Sequence, residues 1–450
     1  MKGKNSHLID SLIAALCICS MIGVARCHAA DVSTVEAELL KKAQSNIEQY
    51  RKGNAIIQFK TAEGQPIRHA EVEVTQVGHD FLFGCIIFDL VWTQDPYRPE
   101  LYKRRFGDLF NFAVFPFYWG RYEPQQGMTM QGKVLDVVKW CQANGITAKG
   151  HPLVWTNRSG VPKWLKEYPP EKTEELLLGR VKREVSSFAN QIDIWDVVNE
   201  PVNVRTWDHV EARDYIKEPI DKIADYVEKA FKAAHQANPK AHLILNEYNT
   251  IARKDVRDRF YQLVLELKRR KTPISGLGIQ AHEPREHWYP PREVWATFDR
   301  LASLGYPLHI TEFIPQSGGK SITGGWRKGT WTENTQADFA EQFYKLSFGH
   351  PAVVSINWWG LSDRRIWLPG GGLITKEYEP KTVYERLRRL VHQEWKTKIS
   401  ALTDEEGMVK VRGFYGKYAV TLNIREAKRH SFAAALCKDR ENKWVFVVGE

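Results

Sequence analysis

The chain is poor in the features that mark several common protein classes. Of its 450 residues only six are cysteines, and Cys17, Cys19 and Cys27 fall in the first thirty. Cys85, Cys141 and Cys437 remain, so at most one intramolecular disulfide forms among them and a disulfide-built scaffold is excluded. There is no C-x-x-C and no H-E-x-x-H spacing, so the strong zinc signatures are missing and neither metal nor cofactor is expected. The apolar run Leu12–Val24 is too short to span a bilayer comfortably, and no later run is apolar enough, so no transmembrane segment is expected. Low-complexity tracts and long linkers are absent too.

Acidic residues are in deficit, 54 against 64 basic, for a formal net charge of +10. The basic residues are scattered apart from Lys268-Arg269-Arg270-Lys271 and Arg386-Leu387-Arg388-Arg389, and read as solvated helix faces. No nucleic-acid motif accompanies them, so no nucleic-acid partner is expected; weak attraction to acidic polysaccharide is the other implication.

The start has the layout of a secretory signal peptide over residues 1–30. Met1-Lys2-Gly3-Lys4 is basic, Leu12–Val24 is apolar, and Cys27-His28-Ala29-Ala30 offers a small-residue cleavage site. Arg26 argues against lipid attachment at Cys27. The expected location is secreted or periplasmic, with about +8 of charge left after removal of Lys2, Lys4 and Arg26 against Asp10.

From residue 80 to 394 short β-rich runs alternate with longer amphipathic ones. The β-like runs are Phe81–Ile87, Phe112–Tyr118, Ile146–Val154, Ile192–Asn199, His242–Glu247, Gly276–His282, Pro307–Thr311 and Val353–Trp358. Between them, apolar residues recur every three or four positions, as in Tyr226, Ala230, Phe231 and Ala234. Eight near-continuous apolar strands separated by helices predict a parallel sheet closed as a (β/α)8 TIM barrel. Residues 31–79 read as a helix and two strands, and 395–450 as β-rich. Too short to fold separately, these ends are expected to meet as one small β-sandwich on the barrel, bracing it, since no exposed aromatic row is evident there.

A barrel of this kind carries its chemistry at the C-terminal ends of its strands. Two strands end on glutamate: Glu200, inside Asn199-Glu200-Pro201, tops the fourth, and Glu312 tops the seventh. A carboxyl group there is costly unless it is paired or used. Each could meet a structural arginine, or the two could serve as the acid and nucleophile of glycoside cleavage. Other strand ends carry groups suited to sugars: His151 and Trp155, Asn199, Asn246-Glu247-Tyr248-Asn249, Gln280 and His282, and Trp359 with Trp367. A tryptophan offers a flat apolar face to a pyranose, and an amide holds a hydroxyl.

These motifs, from Gly150-His151-Pro152-Leu153-Val154-Trp155 through Trp195-Asp196-Val197-Val198-Asn199-Glu200-Pro201 and Ile310-Thr311-Glu312 to Trp359–Trp367, resemble glycoside hydrolase family 10, the retaining endo-β-1,4-xylanases. The resemblance runs through the barrel in order. It implies double displacement on β-1,4-xylosidic bonds in xylan or xylo-oligosaccharides, with Glu200 as acid/base and Glu312 as nucleophile. It further implies that His151, Trp155, Asn199, Tyr248, Gln280, His282, Trp359 and Trp367 line sugar subsites. A charge on Glu312 would then raise the pKa of Glu200. The same machinery on another β-glycan, or a non-catalytic carbohydrate-binding barrel, are the alternatives.

Departures from the resemblance concern the substrate. After the second strand the family carries Glu-Asn and then Lys-Trp; here the segment is Phe115-Pro116-Phe117-Tyr118-Trp119-Gly120-Arg121, expected to be more aromatic and less hydrogen-bonding. Thr156 and Ile314 replace a histidine and an aspartate, leaving the charge of His282 open. Gly318-Gly319 to Gly324-Gly325 reads as a long mobile loop at the cleft.

Overall fold

Eight of the predicted apolar runs become parallel strands because each is buried on both faces. The computed structural model describes residues 33–93, 97–157, 160–202, 218–282, 285–424 and 428–449; the expected signal peptide lies outside them. After a helix over 33–50 come strands β1 (Lys52–Thr61) and β2 (Glu71–His79). The barrel follows as β3 (Leu82–Ile86), β4 (Phe112–Pro116), β5 (Thr147–His151) with a short continuation β6 (Val154–Trp155), β7 (Ile194–Asn199), β8 (His242–Glu247), β9 (Gly276–Ile279), β10 (Leu308–Phe313) and β11 (Val353–Trp358). Each pairs in parallel with the next, β11 returns to β3, and Lys149 and Gly150 of β5 pair with Ile194 and Trp195 of β7, so the sheet closes.

Helices cover the outside because their apolar stripes match this sheet. Helix Ile220–Ala237 buries Ile223, Ala224, Val227, Ala230, Phe231 and Ala234 and leaves its lysines exposed. Phe313 stacks on Phe343 of helix Glu333–Gly349 with centroids 4.3 Å apart, tying the strand that carries Glu312 to its cover.

The two ends of the chain form two further sheets. β1 lies between β13 (Met408–Phe414) and β16 (Lys443–Val448). β2 lies between β12 (Lys398–Leu402) and β14 (Gly416–Ile424), and β14 also pairs with β15 (Lys428–Leu436). They share an apolar core that includes Ile57, Phe59, Val72, Val74, Val411 and Val420. β12 has no counterpart in the sequence reading. It is five residues long and only alternate positions are partly covered, too weak a pattern to stand out.

This sandwich sits at the barrel end opposite the strand-end glutamates. Arg51, just before β1, donates to the carbonyls of Phe348 (2.7 Å), His350 (2.6 Å) and Val353 (2.7 Å), at the entry to β11. His79, at the end of β2, packs among the rings of Phe83, Phe348 and Phe414.

The glycine-rich stretch after β10 differs from expectation. Its backbone closes on itself through Gly319 N–H to Trp331 O and Ile322 N–H to Gly329 O. Ile322 and Trp331 are buried, and Trp331 Nε1 donates to Glu286 O at 2.9 Å. No residue from 315 to 331 borders the cleft. The apolar anchors draw the segment onto the outer helices.

Candidate active site

The C-terminal ends of the barrel strands enclose a cleft of about 540 Å³. Glu200 and Glu312 both line it, with Trp155, Asn199, Tyr248, His282, Trp359 and Trp367 from the residues singled out in the sequence. His151 and Gln280 do not. Both are buried, and they stand behind the wall holding the carboxyl groups, not facing the cavity.

Glu200 leaves its strand with φ 55°, a left-handed conformation that costs a side-chain-bearing residue about 1–2 kcal/mol. Its N–H donates to Asn246 O at 2.8 Å, which offsets part of that cost. The carboxylate accepts from Trp155 Nε1 at 3.0 Å on Oε2 and from Gln280 Nε2 at 2.9 Å on Oε1. Ala281, also left-handed at φ 62°, turns the chain after β9, so Gln280 faces inward while His282 reaches the cleft.

Glu312 is almost wholly buried within β10. Oε1 accepts from Asn246 Nδ2 at 2.9 Å and lies 3.7 Å from His151 Nε2; Oε2 lies 3.8 Å from His282 Nδ1. Behind it runs a buried line: His151 Nδ1 meets Asp196 Oδ2 at 2.7 Å, and Lys149 Nζ meets the same oxygen at 2.7 Å. Lys149 and His151 hold the Asp196 carboxyl below the usual range against its burial.

Burial pushes both cleft carboxyl groups up. Glu200 is raised by loss of water and eased by the N–H donors of Gln280, Trp155 and Asn199. Glu312 is raised well above the carboxylate range by burial and then by the charges of Glu200 and Asp196, with Lys149 and Asn246 opposing. The charge effect runs opposite to the expected direction: the Glu200 charge adds to the rise of Glu312, whereas burial raises Glu200. His282 is pushed down to about 3 by burial and the nearby charges of Arg285 and His151, so its imidazole is neutral.

Asn246 was part of a noted motif but not among the expected site residues. Its Oδ1 accepts from Thr311 Oγ1 at 2.6 Å, and its Nδ2 donates to both Asn199 Oδ1 (2.7 Å) and Glu312 Oε1. Gln280 Nε2 also donates to Asn199 Oδ1, at 3.2 Å. With that oxygen occupied twice, Asn199 is left to offer its N–H groups to the cleft. A side chain at Gly278 would overlap the Asn246 amide, so β9 needs glycine there.

The altered segment after β4 divides. Phe117 and Trp119 are buried, with Trp119 Nε1 donating to Glu123 at 2.9 Å, and only Tyr118 and Arg121 reach the cleft. The expected aromatic floor is thus one tyrosine, set edge-on to His151 and Trp155. Among the described residues, no group of three His, Cys, Asp or Glu side chains is arranged to hold a metal ion, and no helix is long and apolar enough to cross a membrane.

The fold is a closed (β/α)8 barrel whose fourth and seventh strands present two carboxyl groups to one cleft. The chain belongs to glycosyl hydrolase family 10, whose sequence model matches residues 76–390. It is 26% identical over 400 residues to anti-sigma-I factor RsgI6 of Acetivibrio thermocellus, covering 88% of this chain and 48% of that one. It is 31% identical over 271 residues to endo-1,4-beta-xylanase B of Thermotoga neapolitana, covering 58% of this chain and 73% of that one. The crystal structure of native xylanase 10B from Thermotoga maritima aligns with TM-score 0.58 at 25% identity, over 70% of this chain and 96% of that one. The chain spans about half or less of the curated relatives that it matches along most of its own length.

Proposed function

We propose that this chain is a secreted retaining glycosidase that cleaves β-1,4-xylosidic bonds in xylan or xylo-oligosaccharides. The observation that carries the reading is the coupled pair, Glu200 and Glu312, each held by N–H donors in one cleft. Family membership and the xylanases among its relatives support the polymer. The leader-like residues 1–30 support export, and the N-terminal sequence of the exported protein tests it.

In the reacting form Glu200 carries the proton and Glu312 the charge. Glu312 attacks the anomeric carbon while Glu200 protonates the departing glycosidic oxygen. Once Glu312 is esterified its charge is gone, and Glu200, now a carboxylate, takes a proton from water that attacks the same carbon. Glu312 leaves as carboxylate and Glu200 is reprotonated. Asn199 donates to a sugar hydroxyl beside that carbon, and Trp155, Trp359 and Trp367 offer apolar faces to the rings.

Proton NMR of the first-formed anomer tests the stereochemistry: retention is expected, and an inverted product overturns double displacement. Glu312→Ala should abolish release of reducing sugar, and undiminished release removes Glu312 from its role. A panel of xylan, mixed-linkage glucan and aryl xylobioside tests the substrate; cleavage of the aryl glycoside with no polymer attacked overturns the polymer assignment.

A further inference from the structure

Beyond the paired glutamates the cleft continues to an end built from the segments after β3, β4 and β11. Asp89, Trp92 and Thr93 come from the short helix Phe88–Trp92 and the residue after it, Arg121 from the segment after β4, and Arg365 from the loop after β11. The Arg121 guanidinium lies over the Trp92 ring, 4.0 Å from its centroid. A guanidinium stacked on a ring keeps its N–H groups in its own plane, clear of the ring and free to grip an anion with two parallel bonds. Among the described residues no side chain forms a hydrogen bond or ion pair with that guanidinium. Arg365 donates to Thr93 Oγ1 and is otherwise exposed to the cleft.

The charges here do not balance. The charge of Arg365 opposes that of Arg121, and among the described residues Asp89 is the acidic residue whose charge meets both. Burial pushes Asp89 up to about 6, and the charges of Arg365, Arg121 and Arg364 oppose that rise, so this one carboxyl faces several arginines. Arg285, over the Trp367 ring at 4.6 Å, adds a third cation to the cleft wall. Cations that border one cleft raise its positive potential and favour an anion there.

We propose that this end of the cleft binds the carboxylate of a uronosyl group carried by the polysaccharide, gripped by Arg121 and Arg365. This rests on the glycosidase reading above. A sugar acid fits both halves of the site, because its ring suits the surrounding tryptophans and its planar carboxylate matches the guanidinium fork.

The test uses three xylo-oligosaccharides of equal length: unbranched, bearing one glucuronic acid branch, and bearing the same branch reduced to glucose. The readout is the ratio of kcat/KM for the acid branch over its reduced form, so a general loss of activity in a variant leaves the test intact. A ratio of about ten or more is expected for the wild type at low salt, falling toward one in Arg121→Met and in Arg365→Met and falling with added salt. A wild-type ratio near one, or a ratio preserved in both variants, overturns the proposal. If the wild type cleaves none of the three, the glycosidase reading fails, and calorimetry on Glu312→Gln decides the carboxylate site separately. Tighter binding of the acid than of its reduced form then sustains the site, and equal affinities overturn it.

Discussion

Asn246 Nδ2 stands 2.9 Å from Glu312 Oε1 and 2.7 Å from Asn199 Oδ1, so one amide joins the strand-seven carboxyl to the residue that precedes Glu200. The two glutamates arise on strands three apart in the chain, and β8, carrying Asn246, lies beside β7. Their relative placement therefore depends on a side chain that holds the nucleophile carboxylate from behind.

Asn246→Ala should lower kcat about 10²-fold with a smaller change in KM, since the anchor for both Asn199 and Glu312 is lost while the cleft keeps its walls. Asn246→Asp should be worse, because a carboxylate would then face Glu312 where an N–H donor had been. Steady-state kinetics on an aryl xylobioside checks both; a wild-type kcat in Asn246→Ala would show that the amide positions nothing.

Gln280→Ala tests the control of the Glu200 proton. Its Nε2 donates to Glu200 Oε1, which favours the charged form and lowers the Glu200 pKa. Removing the donor raises that pKa, so the alkaline limb of the kcat/KM profile should move up by about half to one pH unit. A limb that stays in place, or moves down, contradicts Glu200 as the group that must hold the proton.

Asp196→Asn should cost about 3–5 kcal/mol in urea unfolding at pH 7, because it leaves Lys149 charged and buried without its partner. Adding Lys149→Met should recover part of the loss, since the stranded cation is then gone. Asp196 is held below its usual pKa, so its contribution is present above the unfolded carboxylate range and fades as pH falls through it. The Asn variant should lose less stability than the wild type on acidification.

His79 offers a second acid-sensitive point, at the junction of sandwich and barrel. Burial, with the nearby charge of Arg51, pushes it down to about 3. Phe81 N–H donates to its Nδ1 at 2.9 Å, which requires that nitrogen to be unprotonated. The unfolded chain takes up this proton near pH 6.5 and the folded one does not, so stability is full above that pH. It falls by about 1.4 kcal/mol per unit below it, until the folded pKa is reached. His79→Asn should flatten the pH dependence of unfolding between pH 6 and 4 by about one proton. An unchanged slope would place the uptake elsewhere.

Strand and helix positions were legible because each barrel strand is apolar on both faces and each covering helix on one. Those are local patterns, a continuous apolar run for the strands and a period of three to four for the helices. The apolar recurrence of Tyr226, Ala230, Phe231 and Ala234 falls on helix Ile220–Ala237, and His242–Glu247 is a strand where the sequence puts it. Weak local patterns failed: β12 exposes alternate residues, and the glycine-rich stretch after β10 reads as a mobile loop until Trp331 and Ile322 are seen to anchor it.

The sequence alone determined a barrel with glutamates ending its fourth and seventh strands, since strand order and strand ends are properties of the chain read in one dimension. Which residues meet was decided only by closure of the barrel. Closure turned His151 and Gln280 from cleft lining into supports, made Asn246 the link between Asn199 and Glu312, and brought Arg121 and Arg365 to one cleft from segments more than two hundred residues apart. Burial and charge at the site depend on those through-space neighbours, and no spacing along the chain encodes them.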